Sequence, residues 1–359
     1  MLRSLYVTNT RAQRGHYAKY TGVFRRRKTM KNIRSQRGSS ALTHHIILCI
    51  CLFVLLMVSP VQAATCRITA SPTAEDLGTT SSFNVNSANG LSTSGPGGVS
   101  CSGLSIDLLS GSVLTGTLKT TTNNMNLVNT QIPGAKIPYT LYADNTTSYP
   151  FIKDQSVNYG AGGLNILNLL VVGLGGSTTI YTKTTPQQNI PAGTYTDTVT
   201  IYWYSKMCLA NLLGACISLS LPDEGTSTIQ IKLIVTKDCQ INTTTDINFG
   251  SSAFVDQFPA KTNNTVTLTC SAQTPYKTYF SNGDNYSDPW RQMKGSGSNF
   301  LQYNIYYPDN TTVWNSLSKL SGSGNGMSQS LTYSAIVNPN QPAQPAGSYS
   351  DTVQFVVEY

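Results

Sequence analysis

One nine-residue phrase occurs twice in this chain and limits what the chain can fold into. Pro191-Ala192-Gly193-Thr194-Tyr195-Thr196-Asp197-Thr198-Val199 returns as Pro345-Ala346-Gly347-Ser348-Tyr349-Ser350-Asp351-Thr352-Val353. Asp144-Asn145-Thr146-Thr147 likewise returns as Asp309-Asn310-Thr311-Thr312. Each half opens on a cysteine followed by another, Cys66 with Cys101 and Cys239 with Cys270, 35 and 31 positions apart. Features recurring in one order require two copies of one plan. The boundary falls near Thr236-Lys237-Asp238, a short polar linker.

The plan is a β plan. Thr198-Val199-Thr200-Ile201-Tyr202-Trp203 and Thr228-Ile229-Gln230-Ile231-Lys232-Leu233-Ile234-Val235 alternate, and Gly, Asn and Pro clusters punctuate such runs. No segment sustains helical periodicity for long, so the expected fold class is all-β, a sandwich or barrel in each half.

The N-terminal 63 residues read differently. Ile46 to Val58 is an apolar run of 13 residues, shorter than the roughly 20 a spanning helix needs. A basic stretch precedes it and Val61-Gln62-Ala63 follows, the layout of a signal peptide cleaved after Ala63. Residues 1–63 are therefore read as a leader, with Met30 a plausible true start. Residues 64–236 are read as an N-terminal domain and 237–359 as a C-terminal domain. The leader holds 11 of the 24 Lys and Arg and no Asp or Glu, leaving 13 basic against 16 acidic residues. The positive net charge of the whole chain thus gives no ground for nucleic-acid binding. All three histidines (His16, His44, His45) leave with it, which excludes Ser-His-Asp and Cys-His catalysis. Six cysteines remain, and in an exported chain they read as disulfides: Cys66–Cys101, Cys239–Cys270 and a local Cys208–Cys216. No metal site, cofactor or catalytic residue is expected. Asp197 and Asp351 hold equivalent repeat positions, and a structural role is expected for both.

The halves differ where it matters. After its Pro-Ala-Gly-x-Tyr-x-Asp strand the first half continues through the Cys208–Cys216 hairpin into another strand, Thr228 to Val235; the second half has no such continuation. Val353, Phe355, Val357 and Tyr359 alternate on one face and are expected to line an acceptor groove that lacks its last strand. Leaving four such side chains uncovered costs roughly 1.5–3 kcal/mol each, and an unpaired edge is a template for another chain. With Cys66 as the third mature residue, no N-terminal extension is expected to serve as a donor strand, which fits a subunit that ends a polymer.

These residues resemble the spore coat U family, in particular the tip subunits of archaic, Csu-type chaperone–usher pili. Asn248-Phe249-Gly250, Arg291-Gln292-Met293 and the terminal Pro-Ala-Gly-Ser-Tyr-Ser-Asp-Thr-Val strand carry the likeness. The first half matches more loosely, with no evident Arg-x-Met counterpart. The resemblance implies two immunoglobulin-like β-sandwich domains, the C-terminal one incomplete. It also implies a periplasmic chaperone that fills the groove, an outer-membrane usher and a next pilin subunit that donates a strand. The protein would pass through the periplasm to the cell surface and meet an abiotic or host surface there.

Candidate contact residues lie in apolar segments that the first half has and the second lacks. Leu169, Leu170 and Val171 belong to an insertion of about 13 residues between Asp144 and Tyr181. Leu209, Leu212 and Leu213 belong to the Cys208–Cys216 hairpin, with Leu212-Leu213 near a tip where loops are usually polar. Met125-Asn126-Leu127-Val128 is a weaker third choice. Csu-type tips grip hydrophobic surfaces with such loops, and the resemblance extends that mode to this chain. The alternatives are a carbohydrate-binding adhesin reading sugars through Trp203, Trp290 and Trp314, or a structural coat or minor pilin subunit. N-terminal sequencing of exported material is expected to return Ala64 as the first residue; a start upstream of Ile46 would refute the leader assignment.

Overall fold

The computed structural model describes residues 65–70, 73–102, 112–159, 176–187, 190–208, 210–212, 215–217 and 221–359, with 210–212 and 215–217 by backbone alone. Among these residues the chain is all β apart from one helical turn, α1 (Ser82–Val85), and one 3-10 turn (Val255–Gln257).

The first domain is organised by β9 (Gly193–Lys206). Tyr195, Val199, Ile201 and Trp203 are buried while the threonines between them face out, the period-2 pattern of a half-buried strand. Along one edge of β9 lies β12 (Asp223–Thr236), antiparallel, from Asp223 opposite Ser205 to Val235 opposite Gly193. The other edge takes β4 (Val113–Thr121) and then β5 (Asn126–Asn129). β2 (Thr73–Ser81) pairs in parallel with the far side of β12, and β7 (Ser156–Asn158) with the far side of β4. The facing layer runs β1 (Thr65–Ile68), β3 (Ser92–Ser102), β8 (Gly176–Thr184), β6 (Lys136–Tyr142), and β6 pairs with β5 to join the layers.

The second domain repeats most of this. Its larger sheet runs β13 (Cys239–Thr243), β14 (Lys261–Cys270), β19 (Ser328–Val337), β17 (Phe300–Tyr306), β16 (Arg291–Lys294). Its smaller sheet runs β18 (Leu320–Ser323), β15 (Pro275–Phe280), β20 (Phe355–Glu358). Each half closes on its own buried core. Cys66 and Cys101 are cross-strand partners and are bonded, as are Cys239 and Cys270.

The repeated phrase holds equivalent parts in both cores. Tyr195 donates its hydroxyl to the Pro191 carbonyl at 2.7 Å, and Tyr349 does the same to Pro345 at 2.7 Å. The buried Asp197 accepts the Tyr139 hydroxyl at 2.7 Å and the Asn123 amide at 2.9 Å. Asp351 accepts the Tyr303 hydroxyl at 2.7 Å and the Asp284 amide at 2.9 Å. Both aspartates are pegs that tie the strand to the facing layer. Asp144 and Asp309 each cap their own loop by accepting backbone amides from the residues that follow.

Register then aligns the copies residue by residue. Gly116 pairs with Trp203, and a Cβ on Gly116 would stand 2.6 Å from the indole ring. The corresponding pair in the second domain is Thr278 with Val357, so a small–large pair has become two middle-sized residues. Leu127 faces Ile137 as Met293 faces Leu301, which sets Met125 where the second domain has Arg291. The missing counterpart of Arg-x-Met is therefore Met125-x-Leu127. Arg291 is buried, and burial lowers its pKa. Its guanidinium is held by carbonyls: Nε donates to Ser281 at 2.8 Å, Nη2 to Phe280 at 2.9 Å and to Trp314 at 2.8 Å.

The joint between the domains is short: two residues, Lys237 and Asp238, lie between β12 and β13. Ser271, next to the Cys270 disulfide, organises it. Its hydroxyl accepts the Asp238 amide at 2.8 Å and lies 2.5 Å from the Ser82 hydroxyl at the start of α1. Replacing Arg291 by Met would take the donor from two buried carbonyls, Phe280 and Trp314, and one part-buried, Ser281. The expected cost is about 3–5 kcal/mol, read as a lower unfolding midpoint of the second domain with the first unchanged.

Candidate functional site

Two places stand out, one in each domain. The first is the edge of β20. In the first domain the repeated phrase is part of a 14-residue strand because β12 ladders along it. In the second domain the same phrase makes one bridge, Ser350 to Lys294, and the strand proper is the four residues of β20. β20 pairs with β15 alone among the described residues. The side that β12 occupies on β9 carries no ladder on β20.

β12 supplies the first core with Ile229, Ile231, Leu233 and Val235, all buried. At roughly 1.5–3 kcal/mol per side chain, such a strand is worth about 6–12 kcal/mol before entropy. Among the described residues no strand is laddered beside β20 as β12 is beside β9. The predicted lining residues of the second core grade outward: Val353 and Phe355 are buried and Val357 is half-buried. Tyr359 departs from the expectation of a core position. It is 52 % exposed, and its hydroxyl reaches Asp238 in the joint at 3.4 Å. The strand has run past the end of the core by that point.

The second place is the end of the first domain farthest from the joint. β3 ends at Ser102 and β4 begins at Val113; β7 ends at Asn158 and β8 begins at Gly176; β9 ends at Lys206 and β12 begins at Asp223. Gly176 stands opposite Cys101, Asn158 opposite Thr115, Val113 opposite Lys206 and Asp223 opposite Ser205. Strand directions therefore bring the strand ends that flank all three connections to one pole, while β12 leaves the opposite pole at Thr236. Leu221, at the foot of the third connection, is 89 % exposed.

Of the predicted contact residues, Leu169, Leu170, Val171, Leu209 and Leu213 lie outside the described residues. Leu212 falls on β10 (Ala210–Leu212), which pairs with β11 (Ala215–Ile217) in a short hairpin. Cys208 is buried and disulfide-bonded, and Cys216 sits on β11 opposite Asn211. The third choice, Met125 to Val128, is overturned: Leu127 is fully buried in β5 and Met125 packs against the same core. The inward placing of Leu127 follows from its pairing with Ile137, which matches that of Met293 with Leu301. Sequence reasoning also passed over the connection 103–111, where Leu104, Ile106, Leu108 and Leu109 follow Cys101. Counting apolar residues in each inter-strand connection would have found it.

Trp203 and Trp314 are fully buried, their indole N–H groups donating to Ser227 Oγ at 2.8 Å and the Thr278 carbonyl at 2.7 Å. They are packing residues. Among the described residues no group of three or more His, Cys, Asp or Glu could hold a metal ion.

A family model of the Spore Coat Protein U domain matches residues 52–202 and again 225–356. The chain belongs to the spore coat protein U family. The double match coincides with the internal repeat. No curated protein matches the chain. Among solved structures this spore coat U protein is similar to the CsuC–CsuE chaperone–tip adhesion subunit pre-assembly complex of archaic chaperone–usher Csu pili from Acinetobacter baumannii. That match has 20 % identity and a TM-score of 0.53, and covers 82 % of this chain and 100 % of the other. The CupB6 tip adhesin of Pseudomonas aeruginosa matches at 12 % identity and a TM-score of 0.34, over 82 % of this chain and 93 % of the other. The first of these supports the two-domain β architecture; the second is too distant to add to it.

Proposed function

We propose that this spore coat U protein is the adhesive tip subunit of a chaperone–usher pilus. The observation that carries the reading is the β20 edge. The repeated phrase opens a 14-residue strand in the domain that has β12, whereas in the second domain it makes a single bridge ahead of the four-residue β20. An extended segment from another protein, laid beside β20, would restore both the ladder and the core cover. Residues 237–359 are then the strand-accepting domain, with Val353, Phe355 and Val357 in its groove. In this reading a periplasmic chaperone supplies the segment first and the next pilus subunit supplies it after the usher; the similar CsuC–CsuE structure is a chaperone–tip adhesion subunit pre-assembly complex, which supports the chaperone as a partner.

Residues 64–236 form the adhesive domain in this reading, and the protein is displayed at the cell surface. Three apolar connections at the pole away from the joint support contact with a hydrophobic surface. Leu209, Leu212 and Leu213 form one, Leu169, Leu170 and Val171 the second, and Leu104 to Leu109 a third. A Cys208–Cys216 bridge would limit the ordering entropy lost on contact, and each leucine that loses water contributes about 1–3 kcal/mol.

Two measurements test this. The full chain is expected to aggregate in the periplasm unless its chaperone is coexpressed, whereas a chain from Ala64 to Val235 folds alone; equal soluble yield with and without chaperone refutes the groove. The double change Leu212→Ser and Leu213→Ser is expected to abolish attachment to plastic with pilus number and first-domain melting unchanged. Unfolding of the first domain would make the leucines core, and undiminished adhesion would move the contact elsewhere.

A further inference from the structure

Glu75 is used by neither the groove nor the distal pole. It lies on β2 with 1 % of its surface exposed. It stands beside Ile231 of β12, and Ile231 stands opposite Asp197 of β9. Two carboxyls therefore share one core-facing row, two strand spacings or about 10 Å apart. They are treated differently. Asp197 collects the Tyr139 hydroxyl and the amides of Asn123 and Thr198. Glu75 has one donor, the Thr182 hydroxyl of β8 at Oε2, while its Oε1 has no partner.

Among the described residues, the groups that face Glu75 supply no positive charge. They are Thr182 from β8, Tyr139 from β6 (with Asp197 behind it), Gly95 from β3 and Ile231 from β12. Its neighbour Asp76, and Lys232 paired with Asp76, are exposed on the other side of the sheet. A Cβ on Gly95 would stand 2.8 Å from Glu75 Cγ, so β3 leaves room for this side chain and little else. Burial pushes the carboxyl up to about 7, with the single Thr182 bond opposing.

An ionised Glu75 can regain water only if β2 moves. β2 is the last strand of its sheet and is laddered to β12 alone. It runs straight into α1, whose Ser82 meets Ser271 of the second domain. We propose that Glu75 is a proton-operated latch that fastens β2, and with it the Ser82 side of the domain joint, to the first core. The sign follows from the direction of the shift. The folded chain holds the proton more tightly than the open one, so the latch is fully closed below about pH 4.5. It weakens as pH rises, and its contribution is gone above about pH 7.

Hydrogen exchange of the full chain in its chaperone complex reads this directly. Peptides from residues 73–81 report on β2, and peptides from β14 serve as the internal reference. The comparison is between wild type and Glu75→Gln at matched pH, which cancels the intrinsic pH dependence of exchange. The β2 opening constant of wild type relative to Glu75→Gln is expected to grow about seventyfold from pH 5 to pH 8. A ratio constant within threefold over that range overturns the latch. Should Glu75→Gln fail to fold, Thr182→Val decides. Loss of the bond that holds the pKa down must move the β2 transition to higher pH, and a transition that does not move overturns the proposal.

Discussion

Everything in this molecule turns on what lies beside one strand. A β edge presents backbone donors and acceptors in a row, and the face next to it presents alternate apolar side chains; both need a neighbour. β9 has that neighbour in β12, whose Ile229, Ile231, Leu233 and Val235 fill the first core. β20 has the same ancestry in sequence, the same tyrosine and aspartate pegs and the same partner on its inner edge, yet no ladder outside. The difference between the two domains beside this strand reduces to the ladder that β12 makes and that β20 lacks among the described residues. Disulfides and pegs do not compensate: Cys239–Cys270 and Tyr303–Asp351 secure the facing layer and leave the β12 side as it is.

Much of this was legible in the sequence because repetition makes a chain its own control. The phrase around Tyr195 and Tyr349 announced equivalent strands, and Asp197 and Asp351 could be assigned to structure before any contact was known. The cysteine pairs within each half followed from spacing. What could not be read was anything set by the facing layer. Met125 to Val128 looked like an apolar loop because nothing local says that Leu127 faces Ile137. Tyr359 continued the alternation of Val353, Phe355 and Val357, but period says which face a residue takes and not where the core stops. Glu75 is an ordinary acidic residue in a polar stretch until Gly95 and Thr182 are seen around it. The convergence of three connections on one pole needed strand directions, which only the ladders supply.

The order of elements also fixes how a pull would travel. The connection between β9 and β12 lies at the distal pole, and β12 ends at the joint. A single extended segment, Asp223–Thr236, therefore runs from one pole of the first domain to the other and on into Lys237 and Asp238. Tension entering at the distal end and resisted through the second domain runs along that segment's covalent backbone. Tension that enters through either of the other two connections reaches it across its antiparallel ladder to β9, which is then loaded in shear, many bonds at once, rather than peeled one at a time. The strand that completes the core is also the tendon of the domain.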